Sequence, residues 1–264
     1  MKCVIFAGGY GSRLGELTSQ FPKPMIEIGG KPILYHIMNT YSYYGINEFI
    51  LCLGYKANII KDYFIHFNEY NNDFTIDYNY SKNNIELEYK NKWKVSCIDT
   101  GIHTLKASRL MLIKNYLTDD TNLLTYGDGL ADININELVN YHNKNKKILT
   151  ITGVHPPARF GELDIENDTL SSIEEKSCNV KNYINGGYMV FDKKIFDYLP
   201  LKNLKEYNND DKLYDLEYGV FKSLHNNNNI AIYKHEGKWA CIDNERDIGK
   251  LNKMYRNNEA FWKV

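Results

Sequence analysis

A chain of 264 residues with 43% hydrophobic and 25% charged residues is long enough to bury a full core, and its composition is that of an ordinary globular protein. A net charge of -1 leaves no basic excess for a nucleic acid or an anionic membrane surface, so any anion site has to be local. Five scattered cysteines (Cys3, Cys52, Cys97, Cys178, Cys241) form no CxxC pair, which argues against zinc and a disulfide framework, and no apolar run reaches the ~18–20 residues that span a bilayer.

In chain order, residues 3–7 read as a short buried strand, cut by Gly8-Gly9 too early for a signal peptide, so the expectation is a cytoplasmic protein. Ile33–Tyr43 carries apolar residues at Ile33, Leu34, Ile37, Met38 and Tyr41, the spacing of one helix face, and Gly45 ends it. Residues 49–53 form a second unbroken apolar strand and 57–67 a second amphipathic helix. Residues 75–80 and 94–98 read as strands and 108–116 as a helix. Residues 123–126 are another buried strand, running straight into Gly127-Asp128-Gly129. A helix over 136–143 and a strand over 148–154 follow. Strands that alternate with helices and carry unbroken apolar runs predict an α/β fold: a Rossmann-like mixed, mainly parallel sheet flanked by helices. Beyond about residue 155 the texture changes, with strand-like stretches at 158–165, 170–175 and 187–191 and fewer helices. No Gly/Ser- or Pro-rich linker intervenes. The reading is therefore one domain over 1–264, with a nucleotide-binding first half (1–154) and a second half (155–264) that closes over it.

The glycine-rich stretch Ala7-Gly8-Gly9-Tyr10-Gly11-Ser12-Arg13 follows the first strand, where main-chain N–H groups can cradle a phosphate. A Walker A loop would need Lys-Ser/Thr after its last glycine, and none follows Gly11 or Gly15. The dinucleotide fingerprint G-x-G-x-x-G fails at Leu14, and the second strand ends in Gly54-Tyr55-Lys56 rather than in an acidic residue. A nucleotidyltransferase loop is the third reading: glycines let the backbone approach a triphosphate while an arginine and a distant lysine neutralise it. Asp128 stands at the carboxyl end of a buried strand, where a carboxylate is costly unless it faces a cation. Asp128 as a simple cap, Asp243 as a turn residue and Glu174-Glu175-Lys176 as a solvated charge run are the competing bland readings. His36, His103 and His155 read as structural.

Several stretches carry a resemblance. They are Ala7-Gly8-Gly9-x-Gly11-x-Arg13-Leu14, Pro22-Lys23-Pro24-Met25, Gly30-Lys31-Pro32-Ile33, Leu53-Gly54-Tyr55-Lys56, Asp99-Thr100-Gly101, Tyr126-Gly127-Asp128-Gly129, Arg159-Phe160-Gly161-Glu162 and Ile184-Asn185-Gly186-Gly187. In this order, along essentially the whole chain, they resemble the sugar-phosphate nucleotidyltransferases, and within them the glucose-1-phosphate cytidylyltransferase branch.

The resemblance implies attack by a sugar phosphate oxygen on the α-phosphorus of CTP, with pyrophosphate released. It places the nucleotide on Phe6, Ala7, Gly8, Gly9, Gly11, Ser12, Arg13, Lys23, Thr100, Gly101, Arg109 and Asp128. The sugar phosphate falls to Gly161, Glu175, Lys176 and Asn185, and one Mg²⁺ to Asp128 and Asp243. Arg13, Lys23, Asp128 and Lys176 carry the catalysis. It also implies a homo-oligomer, associated through helices and tyrosine-rich surfaces of the kind at residues 41–44. A phosphate monoester is already largely dianionic near neutrality, its second pKa being about 6, so the nucleophile needs no general base.

Three stretches depart from the branch pattern. Thr-Gly-Gly-Arg has become Lys106-Ala107-Ser108-Arg109, Glu-Lys-Pro has become Glu175-Lys176-Ser177, and Pro-Met-Asp-Thr has become Cys241-Ile242-Asp243-Asn244. The acceptor therefore stays open between glucose 1-phosphate and another phosphosugar, including one phosphorylated away from the anomeric carbon, and so does the base. A non-catalytic sensor on the same fold is the remaining alternative.

Overall fold

The computed structural model describes residues 1–77, 84–87, 92–156, 162–166, 169–174, 182–199 and 214–264. Its centre is a seven-stranded sheet built from β1 (Cys3–Phe6), β2 (Glu48–Leu53), β3 (Lys94–Asp99), β4 (Thr121–Tyr126), β5 (Leu149–Val154), β6 (Ile184–Asp192) and β7 (Ile230–His235). The longer helices are α1 (Ile33–Tyr43), α2 (Ala57–Ile65), α3 (Lys106–Leu112), α4 (Ile135–Asn145) and α5 (Glu245–Arg256).

The strand order is β7-β5-β6-β4-β1-β2-β3. β1 runs parallel to both neighbours, with Cys3 opposite Phe49 on β2 and Leu123 on β4. β2–β3 and β5–β7 are parallel too, while β6 runs antiparallel to β4 and β5. This is the mixed, mainly parallel sheet the apolar runs predict. β5, the last strand before residue 155, pairs with β6 and β7 from beyond it, so one sheet carries both halves of the chain.

Two cores follow from the alternation of side chains along β1. Cys3 and Ile5 face Ile33, Leu34 and Ile37 of α1, Leu138 of α4, Leu251 of α5 and Trp262. Val4 and Phe6 face Ala107 and Leu110 of α3 together with Ile195 and Leu216. Burial on both faces is why this strand has no polar position, and each such aliphatic side chain contributes roughly 1.5–3 kcal/mol.

Several elements differ from the sequence expectation. The helix expected over 57–67 stops at Ile65, and a short second helix, Phe67–Asn71, starts from His66, whose φ of -100° breaks the first. Of the strand expected over 75–80, residues 78–80 lie outside the described residues; Phe74–Asp77 is strand and pairs antiparallel with Asn84–Leu87, separate from the main sheet. α5 and β7 have no counterpart in the sequence reading. α5 is largely polar, and the signal it does carry is a capping box: the Asn244 side chain accepts from the Asp247 N–H, and the Asp247 carboxylate accepts from the Asn244 N–H.

Candidate active site

β1 and β4 lie side by side, and from them the chain proceeds to opposite flanks of the sheet, β1 toward β2 and β3, β4 toward β6, β5 and β7. Ligands of open α/β sheets bind at such a reversal, outside the carboxyl ends of the strands. Here the segment after β1 and the Gly127-Asp128 turn after β4 line a cavity of about 640 Å³, within the usual range for a small-molecule site.

The glycine segment is held open from below. Arg109 on α3 is 4% exposed. Its Nη1 donates to the Leu53 carbonyl at 2.8 Å and to Thr100 Oγ1 at 2.6 Å, and its Nη2 to the Gly8 carbonyl at 3.2 Å. The guanidinium fills the space a side chain at residue 8 would need: a Cβ there would overlap it and stand 2.8 Å from the Gly54 nitrogen. Burial pulls the Arg109 pKa below its ordinary value, although the neighbouring Cys52 and Asp99 act the other way. Gly11 adopts φ +63°, the left-handed conformation that favours glycine, and a Cβ on it would sit 2.9 Å from Thr18 Cγ2. The main-chain N–H groups of Gly8, Gly9, Tyr10, Gly11 and Ser12 donate to no protein acceptor among the described residues. A row of unpaired donors beside a cavity is chemically suited to phosphate oxygens.

Across the cavity, two carboxylates converge on one ammonium. Lys23 Nζ lies 2.6 Å from Asp128 Oδ2 and 3.3 Å from Asp243 Oδ1, and Arg13 Nη1 stands 3.4 Å from the same Asp243 oxygen. Burial works against the lysine's charge, but the attraction and hydrogen bonds of Asp128, then of Asp243, outweigh it, and the Lys23 pKa rises. Pro22 and Pro24 flank Lys23 in the tight turn Lys23–Met25 that presents this ammonium. A Cβ at Gly127 would stand 3.0 Å from the Phe6 carbonyl oxygen and 3.1 Å from Pro24 Cγ, tighter than ordinary van der Waals contact.

The two aspartates meet through a two-stranded ladder, Gly129–Ala131 against Trp239–Cys241, in which Cys241 is opposite Gly129 and the Ile242 N–H donates to the Asp128 carbonyl. The cap of α5 then orients Asp243, whose N–H donates to Asp247 Oδ2 at 2.9 Å. The carboxylates also raise the Cys241 thiol, whose pKa is pushed up to about 12 by burial first and then by Asp243 and Asp128.

No group of three or more His, Cys, Asp or Glu side chains that could hold a metal occurs among the described residues. The pair nevertheless fits Mg²⁺, which typically takes one or two carboxylates and completes its shell with phosphate oxygens and water. That both carboxylates already gather round one cation is the observation behind the fit.

Of the residues singled out in the sequence, Phe6, Ala7, Gly8, Gly9, Gly11, Ser12 and Arg13 line the cavity along one wall, and Lys23, Arg109, Asp128 and Asp243 complete it. Thr100 is buried beneath it, its hydroxyl donating to the Leu53 carbonyl at 2.7 Å. Gly101 closes a turn at φ +90°, its N–H donating to Asp99 Oδ1 at 3.0 Å. Asn185 stands behind Tyr126, donating to its hydroxyl at 3.2 Å. Gly161, Glu175 and Lys176 lie outside the described residues.

The sequence reading missed part of the wall: Tyr10, Tyr126, Asp215 and the segment Ile102, His103, Thr104, Leu105 and Lys106. His103, taken as structural, faces the cavity and shares a 3.0 Å hydrogen bond with the Tyr10 hydroxyl. His36, by contrast, is buried against the Ile28 carbonyl at 2.7 Å, and burial lowers its pKa.

The model of the nucleotidyl transferase family matches residues 2–263. Over 264 residues, covering all of both chains, this one is 41% identical to a Bacillus subtilis (strain 168) protein described as "Probable glucose-1-phosphate cytidylyltransferase". It is 38% identical over 267 residues to the glucose-1-phosphate cytidylyltransferase of Salmonella typhi, covering 100% of this chain and 99% of that one. Among solved structures, it is similar in fold to the inositol-1-phosphate CTP transferase from T. maritima, with a TM-score of 0.63 at 14% identity, covering 98% of this chain and 95% of that chain.

Proposed function

The chain belongs to the nucleotidyl transferase family, and on that basis we propose that it is a cytidylyltransferase joining CTP and glucose 1-phosphate to give CDP-glucose and pyrophosphate. The observation that carries the chemistry is the convergence of Lys23, Asp128 and Asp243 opposite the unpaired N–H groups of residues 8–12. Full-length relation to two glucose-1-phosphate cytidylyltransferases carries the choice of substrates.

In this reading the N–H groups of the glycine segment, Arg13 and Lys23 take up the triphosphate oxygens and cancel their charge. The acceptor phosphate, already dianionic, attacks in line: a bond forms between its oxygen and the α-phosphorus, and the bond from that phosphorus to the bridging oxygen breaks. Pyrophosphate leaves with the electron pair, and no protein group needs to move a proton. The protein's contribution is alignment and suppression of repulsion between two polyanions. Mg²⁺, held by Asp128 and Asp243, would add charge neutralisation at the phosphates. Arg109 acts from beneath, fixing the Gly8 carbonyl so that the neighbouring N–H groups face the cavity. On the acceptor side, the resemblance assigns Lys176 to the sugar phosphate, Glu175 to sugar hydroxyls, Gly161 to close approach of the backbone and Asn185 to a further polar contact. It also implies a cytoplasmic homo-oligomer, which light scattering of the purified protein would test.

The test of the function is pyrophosphate release with Mg²⁺ across CTP, UTP, ATP, GTP and dTTP against glucose 1-phosphate, other sugar 1-phosphates and sugar 6-phosphates. Turnover confined to CTP with glucose 1-phosphate is the expected outcome. Preference for another nucleotide or another acceptor would overturn the assignment at that substrate, and no pyrophosphate from any pair would refute it outright.

A further inference from the structure

Once the phosphates are assigned to the glycine segment, Lys23 and the aspartates, the cavity wall left for the nucleoside includes Tyr10, the segment 102–106, Tyr126 and Asp215. That wall holds one charged donor and one charged acceptor. Lys106 begins α3, and Asp215 caps the wide helical turn Leu216–Phe221. Asp215 uses Oδ1 for the cap, accepting from the N–H groups of Glu217 at 3.0 Å and Tyr218 at 3.2 Å. Its rotamer is thereby fixed. Its Oδ2 stands 3.8 Å from Lys106 Nζ, too far for a direct hydrogen bond. Lys106 is steadied by an ion pair with Glu217 and lies 5.3 Å from the centre of the Tyr126 ring. The Tyr126 hydroxyl in turn donates to the other Glu217 oxygen at 2.5 Å. The donor and the acceptor are therefore held side by side by contacts that a ligand does not have to supply.

Resting on the cytidylyltransferase reading, we propose that Asp215 and Lys106 read the base of the nucleotide: the Asp215 carboxylate accepts from the exocyclic amino group of cytosine, and the Lys106 ammonium donates to its O2. Cytosine presents an amino donor and ring and carbonyl acceptors on one edge, and an acidic side chain is the usual acceptor for that amino group. Uracil carries a carbonyl where cytosine carries the amino group, so a carboxylate fixed at that point faces a second acceptor and repels it. Sites built on such polar pairs discriminate steeply. Lys106 is also a point at which this chain departs from the threonine of the branch pattern, so the donor belongs to this chain.

The test compares kcat/KM for CTP and UTP, with glucose 1-phosphate saturating, in the wild type, Asp215→Asn and Lys106→Leu. Asp215→Asn keeps an oxygen for the cap and converts the second position from acceptor to donor. Its CTP:UTP ratio is expected to fall by roughly 100-fold, the scale of one charge-assisted hydrogen bond turned repulsive. Lys106→Leu is expected to weaken CTP and UTP alike, because O2 is common to both, with the KM for the sugar phosphate unchanged. Should Asp215→Asn not fold, Asp215→Ser retains a capping oxygen, lacks the carboxylate and gives the same readout. An Asp215 variant that turns over CTP with an unaltered CTP:UTP ratio overturns the inference, and so does an effect confined to the KM of the sugar phosphate. A wild type that prefers another nucleotide removes the cytidylyl premise itself, which separates the two failures.

Discussion

Replacing Lys23 by methionine isolates the electrostatics of the proposed site. Asp128 Oδ2 and Asp243 Oδ1 lie 2.6 and 3.3 Å from the same nitrogen, so laid end to end these distances put the two oxygens at most 5.9 Å apart. Two unit charges at that separation repel by about 3 kcal/mol at an effective dielectric constant of about 20. Arg13 remains 3.4 Å from Asp243, but its side chain is 77% exposed, so it offsets no more than about 1 kcal/mol of this. A loss of about 2 kcal/mol in unfolding free energy at neutral pH is therefore expected in metal-free buffer. Because the cause is carboxylate repulsion, millimolar Mg²⁺ should restore much of it, and so should acid, where a protonated carboxyl no longer repels. In the wild type, Lys23 has a raised pKa in the fold. Its stabilising contribution is thus fully present below the ordinary lysine value and is lost only as pH rises through the raised one, so neutral and acid buffers should not reveal it. Urea unfolding of both proteins, with and without Mg²⁺, at neutral and acid pH, measures the deficit and its recovery. A variant whose deficit ignores both Mg²⁺ and pH would refute the idea that the two aspartates form one cation site.

Asp128→Asn should lower pyrophosphate release by roughly 10²–10³-fold while circular dichroism stays unchanged; near-normal turnover would remove Asp128 from the metal role. Gly8→Ala should cost about 1–3 kcal/mol through overpacking, because the new methyl overlaps the Arg109 guanidinium, and thermal melts would show it as a lowered Tm. Arg109→Met should fold, since the Gly8 and Leu53 carbonyls keep other donors in the N–H groups of Tyr55 and Thr100, yet lose kcat/KM for the nucleotide as the glycine segment loosens. Unchanged kinetics would mean the guanidinium is only filler. Cys241, with its pKa up at about 12, stays a thiol in mildly alkaline buffer and should resist iodoacetamide in the folded protein. Its contribution to stability holds below the ordinary thiol value and is lost as pH rises toward about 12; rapid alkylation of the native protein would contradict the burial argument.

Features that depend on neighbours along the chain were legible before the fold was known. Largely apolar runs marked β1, β2 and β4, because a strand buried on both faces has few polar positions. Ile33–Tyr43 was legible to its last residue from one apolar face. The glycines after β1 announced a segment of unpaired N–H groups with a left-handed turn at Gly11, since both are local properties. The polar helix α5 was not legible from periodicity, though the Asn244–Asp247 capping box was there to be read.

Tertiary structure alone decided which distant residues share the site. Asp128 and Asp243 meet because Gly129–Ala131 pairs with Trp239–Cys241, and Arg109 lies under Gly8 because α3 packs on the sheet face opposite α1. Lys106 stands beside Asp215 for the same kind of reason. A strand pairing or helix packing between segments a hundred residues apart leaves no spacing in the sequence. It is selected only when the whole chain folds, by the burial of both faces of the sheet and the pairing of every edge that can be paired.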